Sequence, residues 1–574
     1  MKKYGINLGG EIALQAFDTA ERQLKTENDG DGPRHSPLVG AIINGELCGL
    51  NQPVSFDSEL EGVYLDDPGG TSLYRNGLAF LLLQAWSSLL NNPQTDNTEN
   101  QSNEQLRRAF RELGGLIIGP TMDSGFYCYF NESISEELLL SLKEQMQAWI
   151  RADLPIELRY ISYATARQLY ADRAEWQEYL NLSNHNRIPV YSLNGEPLLS
   201  SPQVLPVLHR CGLLETFELA KEGDGFLLRF PRRSKLPVPD SPTISAPLLL
   251  DMYRSYKRWN RNVGVNNVAA LVTRTEQKNG IEKLITLSEI HQQKTTAQIA
   301  DTVLQKKSVR LLLVAGPSSS GKTTFTKKLA LQLEILGYQT VIVSLDDFYL
   351  GKELAPKDEN GKPDLERLEA LNLERLNRNL SDLLAGKEVE FPYFDFAKDR
   401  TAPKGHCLQL PDNAILLIEG IHGLNPGLIP GIPCQKKFHV YISALTQLNI
   451  LPSLNMSTSD NRLLRRIVRD YQFRNHSAHA TLAMWKSVQR GEQLHILPHR
   501  NKADAIFNSA LEYEIPILKT YAAPLLKQIK PESETYATAK RLENILSFFP
   551  SLPSNSVPTD SILREFIGGS SFYY

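Results

Sequence analysis

Eight consecutive residues carry the strongest chemical signal in the sequence. Together with the threonine that follows, they are Gly316, Pro317, Ser318, Ser319, Ser320, Gly321, Lys322, Thr323 and Thr324. The first eight match the pattern GxxxxGK[ST], in which backbone N–H groups close around a phosphate chain. A helix beginning after the loop presents its positive end to the same charge. Lys322 is placed to reach the β- and γ-phosphates, and Thr323 to bind Mg²⁺. These residues predict a site for ATP and Mg²⁺.

Carboxylates stand near the ends of two apolar segments in the same part of the chain. VIVSLDDFYL (341–350) contains Asp346, and AILLIEG (414–420) contains Glu419. Side chains at the carboxyl ends of parallel strands meet at one edge of a sheet, where ligands bind. Asp346 is therefore the candidate general base for an attacking hydroxyl. Glu419 is the candidate to hold Mg²⁺ together with Thr323.

A basic segment, RLLRRIVRDYQFRN (462–475), follows these carboxylates. Four of its arginines recur at spacings that share one helix face: Arg462, Arg465, Arg466 and Arg469. Guanidinium groups stabilise the charge that spreads over a transferring phosphoryl group. The segment predicts a helix whose arginines cover the phosphate site.

The elements that must position these groups alternate along the chain. VRLLLVA (309–315) has the length and composition of a buried strand, and apolar residues at helical spacing follow the glycine loop. Alternating strands and helices predict a parallel sheet covered by helices. Before this region, residues 90–105 form a polar loop, and the proline-rich residues 231–247 are typical of an inter-domain linker.

The composition limits the class of protein. The chain has 574 residues, which predicts two to four domains. Its net charge of −3 argues against a broadly basic nucleic-acid-binding surface, so a nucleic-acid partner is not expected, although a local patch is compatible with the charge. No run of about 18 apolar residues occurs, and the N-terminal residues lack the apolar stretch of a secretory signal. The five cysteines are scattered and show no metal-site spacing, which is typical of reduced thiols. We therefore expect a cytoplasmic protein with no membrane segment.

The half from 308 to 530 resembles the phosphoribulokinase/uridine kinase family of P-loop kinases. The pieces that carry the resemblance are GPSSSGKTT, LDDFY, FPYFDFAKDR (391–400), the IEG strand and RRIVRDYQFR. The resemblance implies an ATP-dependent kinase with Asp346 as catalytic base. It also implies that the acceptor is held by Tyr349, Phe394, Phe396 and Arg474, and that the lid arginines are Arg466 and Arg469.

Some residues depart from the family pattern. Phe394 stands where uridine kinases usually have tyrosine, so one hydroxyl contact is missing. The acidic residue that would hold ribose hydroxyls is not fixed by the sequence, since both Asp364 and Glu369 are candidates and Asn372 occupies the expected aspartate position. A phosphosugar acceptor would need extra cationic groups, for which Arg400 is the nearby candidate.

The first half resembles other modules. Residues 38–70 resemble the TGS domain that opens threonyl-tRNA synthetases, and residues 71–230 resemble the editing (SAD-like) domain that follows it there, most clearly in IGPTMDSGFYCYF (118–130). The whole order resembles a group of bacterial fusion proteins. The four positions that hold the editing domain's His and Cys residues carry other residue types here: Asn76, Phe80, Leu199 and Gln203. This predicts a retained fold without editing activity.

Together these patterns predict an α/β fold. Its C-terminal half is a P-loop NTPase-type parallel sheet of about five strands with a helical lid, preceded by α+β TGS-like and degenerate editing-like domains. The expected boundaries are 1–66 for the TGS-like domain, 67–235 for the editing-like domain, 236–307 for a linker and helical connector, 308–530 for the kinase-like domain and 531–574 for a tail.

Three functions are compatible with the residues. The leading hypothesis is transfer of the ATP γ-phosphate to the 5′-hydroxyl of a ribonucleoside, with uridine or cytidine as the expected acceptor. The alternatives are a kinase of another small alcohol, a phosphosugar or pantothenate-like compound, and an RNA-linked regulatory protein that binds ATP without turnover. A homo-oligomer is expected, and the front half is a candidate site for an allosteric nucleotide or an RNA end.

Overall fold

The structure is a computed structural model. It describes residues 3–6, 11–12, 15, 36–54, 58–91, 113, 115–122, 125–183, 186–201, 204–231, 247–358, 361–395, 400–402, 405–446 and 448–573. Within these ranges, no helix combines the length and the apolar character needed to cross a bilayer.

An antiparallel four-stranded sheet forms the first part of the chain. Its strands, in spatial order, are Lys3–Ile6, Ser58–Tyr64, Leu38–Ile43 and Glu46–Gly49. Glu11–Ile12 pairs separately with Pro53–Val54. Asn44 and Gly45 have φ angles of 48° and 85°, and a two-residue turn with two positive φ angles suits the twist of a hairpin. The local sequence therefore fixes this hairpin's register.

Two further antiparallel sheets and, among the residues described, four α-helices form the next part. One sheet has the order Glu218–Glu222, Gly225–Arg229, Gly125–Tyr129, Ile117–Met122, and the other has Glu196–Leu199, Arg187–Leu193, Ile156–Ser162. The helices are Pro68–Asn91, Glu136–Arg151, Tyr163–Leu169 and Ala174–Leu182. The helix Glu136–Arg151 begins at Ser135, whose hydroxyl accepts the N–H of Leu138 as an N-cap. Separate antiparallel sheets confirm the α+β character predicted for this half.

Three helices connect the halves: Pro247–Val263, Val268–Glu276 and Gly280–Gln305. Of these, Gly280–Gln305 (the connector helix) packs along the helix that follows the glycine loop. Ser288, Glu289 and Gln292 of the connector helix are buried, although they are polar. Their burial against the C-terminal half makes the connector part of that half's packing.

A five-stranded parallel sheet forms the centre of the C-terminal half. Its order is Gln339–Ser344, Ala414–Glu419, Leu311–Ala315, Lys437–Ser443, Ala505–Asn508, and all four pairings are parallel. Every residue of Leu311–Ala315 and of Ala414–Glu419 is buried, as expected for strands covered on both faces. The predicted fold class is confirmed.

Helices cover this sheet and smaller strand pairs border it. The helices are Lys322–Ile335, Leu373–Leu384, Thr458–Phe473, Ala478–Gly491, Glu514–Leu526, Tyr536–Ser547 and Arg564–Ile567. The strand pairs are Val389–Phe391 with His406–Leu408, Phe394–Asp395 with Arg400–Thr401, and Asn449–Leu451 with Leu454–Asn455. Below, Lys322–Ile335 is called the P-loop helix and Thr458–Phe473 the lid helix.

The two halves touch directly. The N–H of Ile118 donates to the carbonyl of Pro452 at 2.9 Å, and the amide of Asn449 donates to the carbonyl of Ile118 at 3.4 Å. Tyr179 packs against Phe548 with ring centroids 6.0 Å apart. The relative placement of the halves, which cannot be read from the sequence alone, thus rests on specific contacts. The predicted domain boundaries stay predictions.

Candidate active site around the glycine loop

The glycine loop joins the central strand Leu311–Ala315 to the P-loop helix. Gly321 has φ of 83° and precedes the helix as its N-cap, a backbone shape that favours glycine. A Cβ on Gly316 would lie 2.6 Å from the carbonyl oxygen of Ile442, so this position excludes larger residues. The two glycines of the motif are therefore required by conformation and by space. Strand, loop and helix lie in the order that a phosphate cradle needs.

Polar groups in the loop are available to a ligand. Within the described residues, the buried hydroxyls of Ser319 and Ser320 have no hydrogen-bond partner. Lys322 Nζ donates only weakly, at 3.3 Å, to the carbonyl of Pro317 in its own loop. Buried polar groups are normally paired, so such an arrangement fits the phosphates of ATP.

Glu419 lies at the end of its strand beside the loop. Thr323 Oγ1 donates to Glu419 Oε1 at 3.1 Å, and Ser344 Oγ donates to the same oxygen at 3.2 Å. Burial and the nearby negative charge of Asp346 raise the pKa of Glu419 to about 7. A divalent cation would relieve this crowding of carboxylates, so Thr323 and Glu419 fit the predicted Mg²⁺ role.

Asp346 and Asp347 occupy a short turn, Leu345–Phe348, just after the strand Gln339–Ser344. Asp346 is half-buried and close enough to Glu419 to act on its pKa. Asp347 has another task, because its Oδ1 accepts the N–H of Phe394 at 3.2 Å. Asp346 thus faces the carboxylate of the phosphate site, whereas Asp347 holds a neighbouring strand.

Aromatic side chains lie near Asp346. Tyr349 and Phe394 meet edge to face, with ring centroids 6.2 Å apart, and burial raises the pKa of Tyr349. Two other predicted acceptor contacts cannot be placed in the same way: Phe396 lies outside the described residues, and Arg400 is described only as a strand residue paired with Asp395. Of the three aromatic residues predicted to contact the acceptor, the structure brings Tyr349 and Phe394 together.

The lid helix places its arginines at two depths. Arg462 and Arg465 are buried and donate to the loop carbonyls of Ser318, at 2.8 Å, and Ser319, at 3.4 Å. Arg465 also pairs with the buried carboxylate of Glu514. These two guanidinium groups hold the glycine loop in place.

The other arginines of the lid lie nearer the site. Arg466 Nη1 donates to Ser318 Oγ at 2.9 Å, and both Arg466 and Arg469 bond the buried carboxylate of Asp470. Arg474 lies 3.9 Å from the same carboxylate, and the positive charge of Arg469 and burial lower its pKa to about 10. Asp470 gathers three cations beside the loop.

Comparison with known proteins identifies this half of the chain. Residues 311–516 match the model of the phosphoribulokinase / uridine kinase family. These residues form a domain of that family. The uridine kinase of Macrococcus caseolyticus is 28% identical over 194 residues, which cover 34% of this chain and 84% of that enzyme. The structure of a possible uridine kinase from Bacillus stearothermophilus is 20% identical, covering 35% of this chain and 89% of that one with a TM-score of 0.23.

The N-terminal region matches a different protein. The threonine–tRNA ligase of Thermotoga maritima is 33% identical over 156 residues, which are 27% of this chain and 21% of that enzyme. The chain therefore spans about a fifth of the length of the threonine–tRNA ligases that it matches. The resemblance of the chain to a fusion of two unrelated modules is confirmed.

One residue of the kinase-family domain was missed by sequence reasoning. Glu366 is half-buried, and burial raises its pKa to about 7, with the charges of Arg466, Glu492 and Lys322 also acting on it. Within the described residues its Oε2 has no hydrogen-bond partner. The one feature of the sequence that could have indicated Glu366 is its position in the acidic stretch DLERLE (364–369). Glu366 adds a third carboxylate to the site, between the loop lysine and the lid.

The two acidic candidates from the sequence are placed less favourably. Asp364 Oδ1 accepts the N–H of Glu366 at 3.2 Å, which fixes the turn. The Glu369 side chain is 61% exposed and pairs with Arg367. Asn372 caps the helix Leu373–Leu384 by accepting the N–H of Arg375 at 3.0 Å. Of this stretch, Glu366 is the residue that faces the charges of the site.

In the part of the front half that the structure describes, no metal-ligand group replaces the altered editing positions. Asn76 donates to the carbonyl of Pro206 at 3.0 Å, and Phe80 and Leu199 are buried in the apolar core, while Gln203 lies outside the described residues. Among the described residues, no group of three His, Cys, Asp or Glu is placed to hold a metal ion. That this module lacks editing activity stays a prediction.

Proposed function

We propose that the kinase-family domain transfers the γ-phosphate of ATP to a hydroxyl of a small molecule, and that the acceptor is the 5′-hydroxyl of uridine or cytidine. The observation that carries this proposal is the position of Asp346, at the carboxyl end of a strand and beside the Thr323–Glu419 pair. A carboxylate there lies where the acceptor hydroxyl must approach the γ-phosphate.

The residues divide the chemistry among them. Asp346 accepts the proton of the acceptor hydroxyl as its oxygen attacks phosphorus, and the bond to the ADP oxygen breaks. Lys322, Arg466 and Arg469 stabilise the negative charge on the transferring group. Thr323 and Glu419 would hold Mg²⁺, which would supply positive charge to the phosphate oxygens.

The acceptor pocket supports a nucleoside. Tyr349 and Phe394 offer flat apolar surfaces against which a base can stack. Glu366 offers a carboxylate to sugar hydroxyls, and near pH 7 its raised pKa allows both accepting and donating forms. A phosphorylated acceptor is less compatible, because Glu366, Asp346 and Glu419 crowd the same region with negative charge.

The test is ATP consumption with Mg²⁺ against uridine, cytidine, pantothenate and ribulose 5-phosphate. Nucleoside-dependent turnover is expected, with a loss of about 10²-fold or more in Asp346→Asn. Asp347→Asn is the matched control, since its amide oxygen can still accept the N–H of Phe394 and turnover should be largely kept. Turnover with another acceptor would overturn the substrate; ATP binding without acceptor-dependent turnover would favour the RNA-linked regulatory function.

A further inference from the structure

Residues 557–573, at the far end of the sequence, lie against the glycine loop. Val557, Ile562, Leu563 and Phe566 of this 557–573 segment are buried. Its contact with the loop is close, because a Cβ on Gly321 would lie 2.6 Å from Ile562 Cγ2. The segment is thus a wall of the nucleotide site.

A carboxylate of this segment enters the phosphate cradle itself. Glu565 Oε2 accepts the backbone N–H of Thr324 at 3.1 Å and its hydroxyl at 2.6 Å. Thr324 is the third residue of the P-loop helix, so this N–H belongs to the first turn, whose donors have no partner within the helix. In a phosphate loop these donors serve the α- and β-phosphates. Glu565 places a negative charge where a phosphate oxygen would bind.

The backbone around Glu565 is firmly anchored. Lys328 Nζ donates to the carbonyl of Asp560 at 2.9 Å and lies 3.2 Å from its carboxylate. Ser561 bonds the buried Tyr513, and Phe566 lies under the guanidinium of Arg465 at 5.0 Å. The Glu565 side chain, by contrast, is only half-buried. Because its neighbours are fixed, the side chain can turn away while the segment stays in place.

The charge environment does not favour a carboxylate and a triphosphate together. Glu565 and Asp346 both act on Glu419 in the direction that raises its pKa, so three acidic groups already share the site. Anions compete for the same helix N-terminus.

We propose that Glu565 is an internal anion that occupies the phosphate cradle and must leave Thr324 before ATP binds, so that this contact is autoinhibitory. The inference rests on the proposed nucleotide site. Only molecules in which Glu565 has left Thr324 can bind ATP. The apparent nucleotide affinity is therefore reduced in proportion to the fraction of molecules that are free of this contact.

The experiment is isothermal titration of the full-length chain with MgATP and with ADP. Glu565→Gln removes the charge and keeps the size of the side chain. It should bind both nucleotides about tenfold more tightly, the gain for a site blocked in roughly nine molecules out of ten. Glu565→Ala should show the same direction. Asp560→Asn is the matched control, since it removes a carboxylate of the same segment that does not bond Thr324, while the carbonyl of residue 560 can still accept from Lys328, and its affinity should equal that of the wild type.

A different set of results would contradict the autoinhibitory role of Glu565. If Glu565 serves only as a cap of the P-loop helix, Glu565→Ala will lower the melting temperature and neither Glu565 variant will gain affinity, which overturns the proposal. Lys322→Ala separates this failure from that of the nucleotide site. ATP binding that survives in Lys322→Ala refutes the nucleotide site, whereas binding lost there with no gain in Glu565→Gln refutes the autoinhibitory contact alone.

Discussion

Glu419 is a buried carboxylate whose negative charge should lower the stability of the folded protein. Its carboxyl is buried, and its pKa is raised from 4.5 to about 7 by burial and by Asp346. The folded state therefore binds more protons than the unfolded state between these values. The free energy of unfolding therefore falls as the pH rises from about 4.5 to about 7. Above pH 7 the full cost of burying the ionised carboxylate is present. A carboxylate whose charge stabilised the fold would have a lowered pKa and would show the opposite dependence of stability on pH.

We expect Glu419→Gln to be more stable than the wild type at pH 8 and nearly equal to it below pH 5. The amide oxygen can still accept from Thr323 and Ser344, so the variant removes the charge alone. The gain at high pH should be on the order of 1–3 kcal/mol, from the size of the pKa shift. Thermal melts without Mg²⁺ at both pH values check this. Glu534→Gln, on the exposed surface, is the control; a Glu419→Gln gain of equal size at both pH values would contradict the explanation.

At the scale of elements, the lid helix combines two functions on one face. Arg462 and Arg465 are buried and hold the glycine loop by its carbonyl oxygens, whereas Arg466 and Arg469 are partly exposed. All four lie on the same helix face by their sequence positions, so only their depth in the structure distinguishes the two that support the loop from the two proposed to act on the phosphate.

Two substitutions in this helix should therefore have different effects. Arg465→Met leaves the buried Glu514 carboxylate without its cation and should destabilise the protein by about 3–5 kcal/mol. Arg469→Met should keep the melting temperature near that of the wild type and lower kcat by about 10²-fold or more. Thermal melts together with steady-state kinetics distinguish them. Equal losses of stability in the two variants would show that the division by depth is wrong.

At the scale of the whole molecule, the connector belongs energetically to the kinase-family domain. Tyr256 donates to the carbonyl of Asn508 at 3.0 Å, and Trp259 and Ser288 donate to the buried Glu512 at 3.0 and 2.6 Å. Tyr513, which has no exposed surface, donates to Glu289. A cut before the glycine-loop strand would leave these groups buried without partners, or exposed to water.

Two fragments test this dependence. Residues 247–574 should fold and keep the nucleotide affinity of the whole chain, whereas residues 308–574 should fail to fold cooperatively, since an unpaired buried carboxylate alone costs several kcal/mol. Circular dichroism melts and ATP titration are the measurements. A stable 308–574 fragment would show that the connector is dispensable. Kinetics of 247–574 that differ from the full chain would support a regulatory role for the front half.

The sequence by itself was sufficient for the features that depend on contiguous residues. The glycine loop, its strand and its helix lie within 25 residues, from Leu311 to Ile335, so their geometry follows from local conformation. Alternation of strands and helices likewise predicted the parallel sheet. The altered editing positions were also visible without a structure, because they are read from residue types alone.

Only the tertiary structure showed which distant side chains meet at the site. Glu565 reaches Thr324 across 241 residues, and Arg465 reaches Glu514 across 49. Glu366 could not be distinguished from Asp364 or Glu369 by residue type, because all three are acidic and only the structure shows which charges surround each of them. Side-chain depth and long-range contact result from how helices pack on the sheet, and no local pattern encodes that packing.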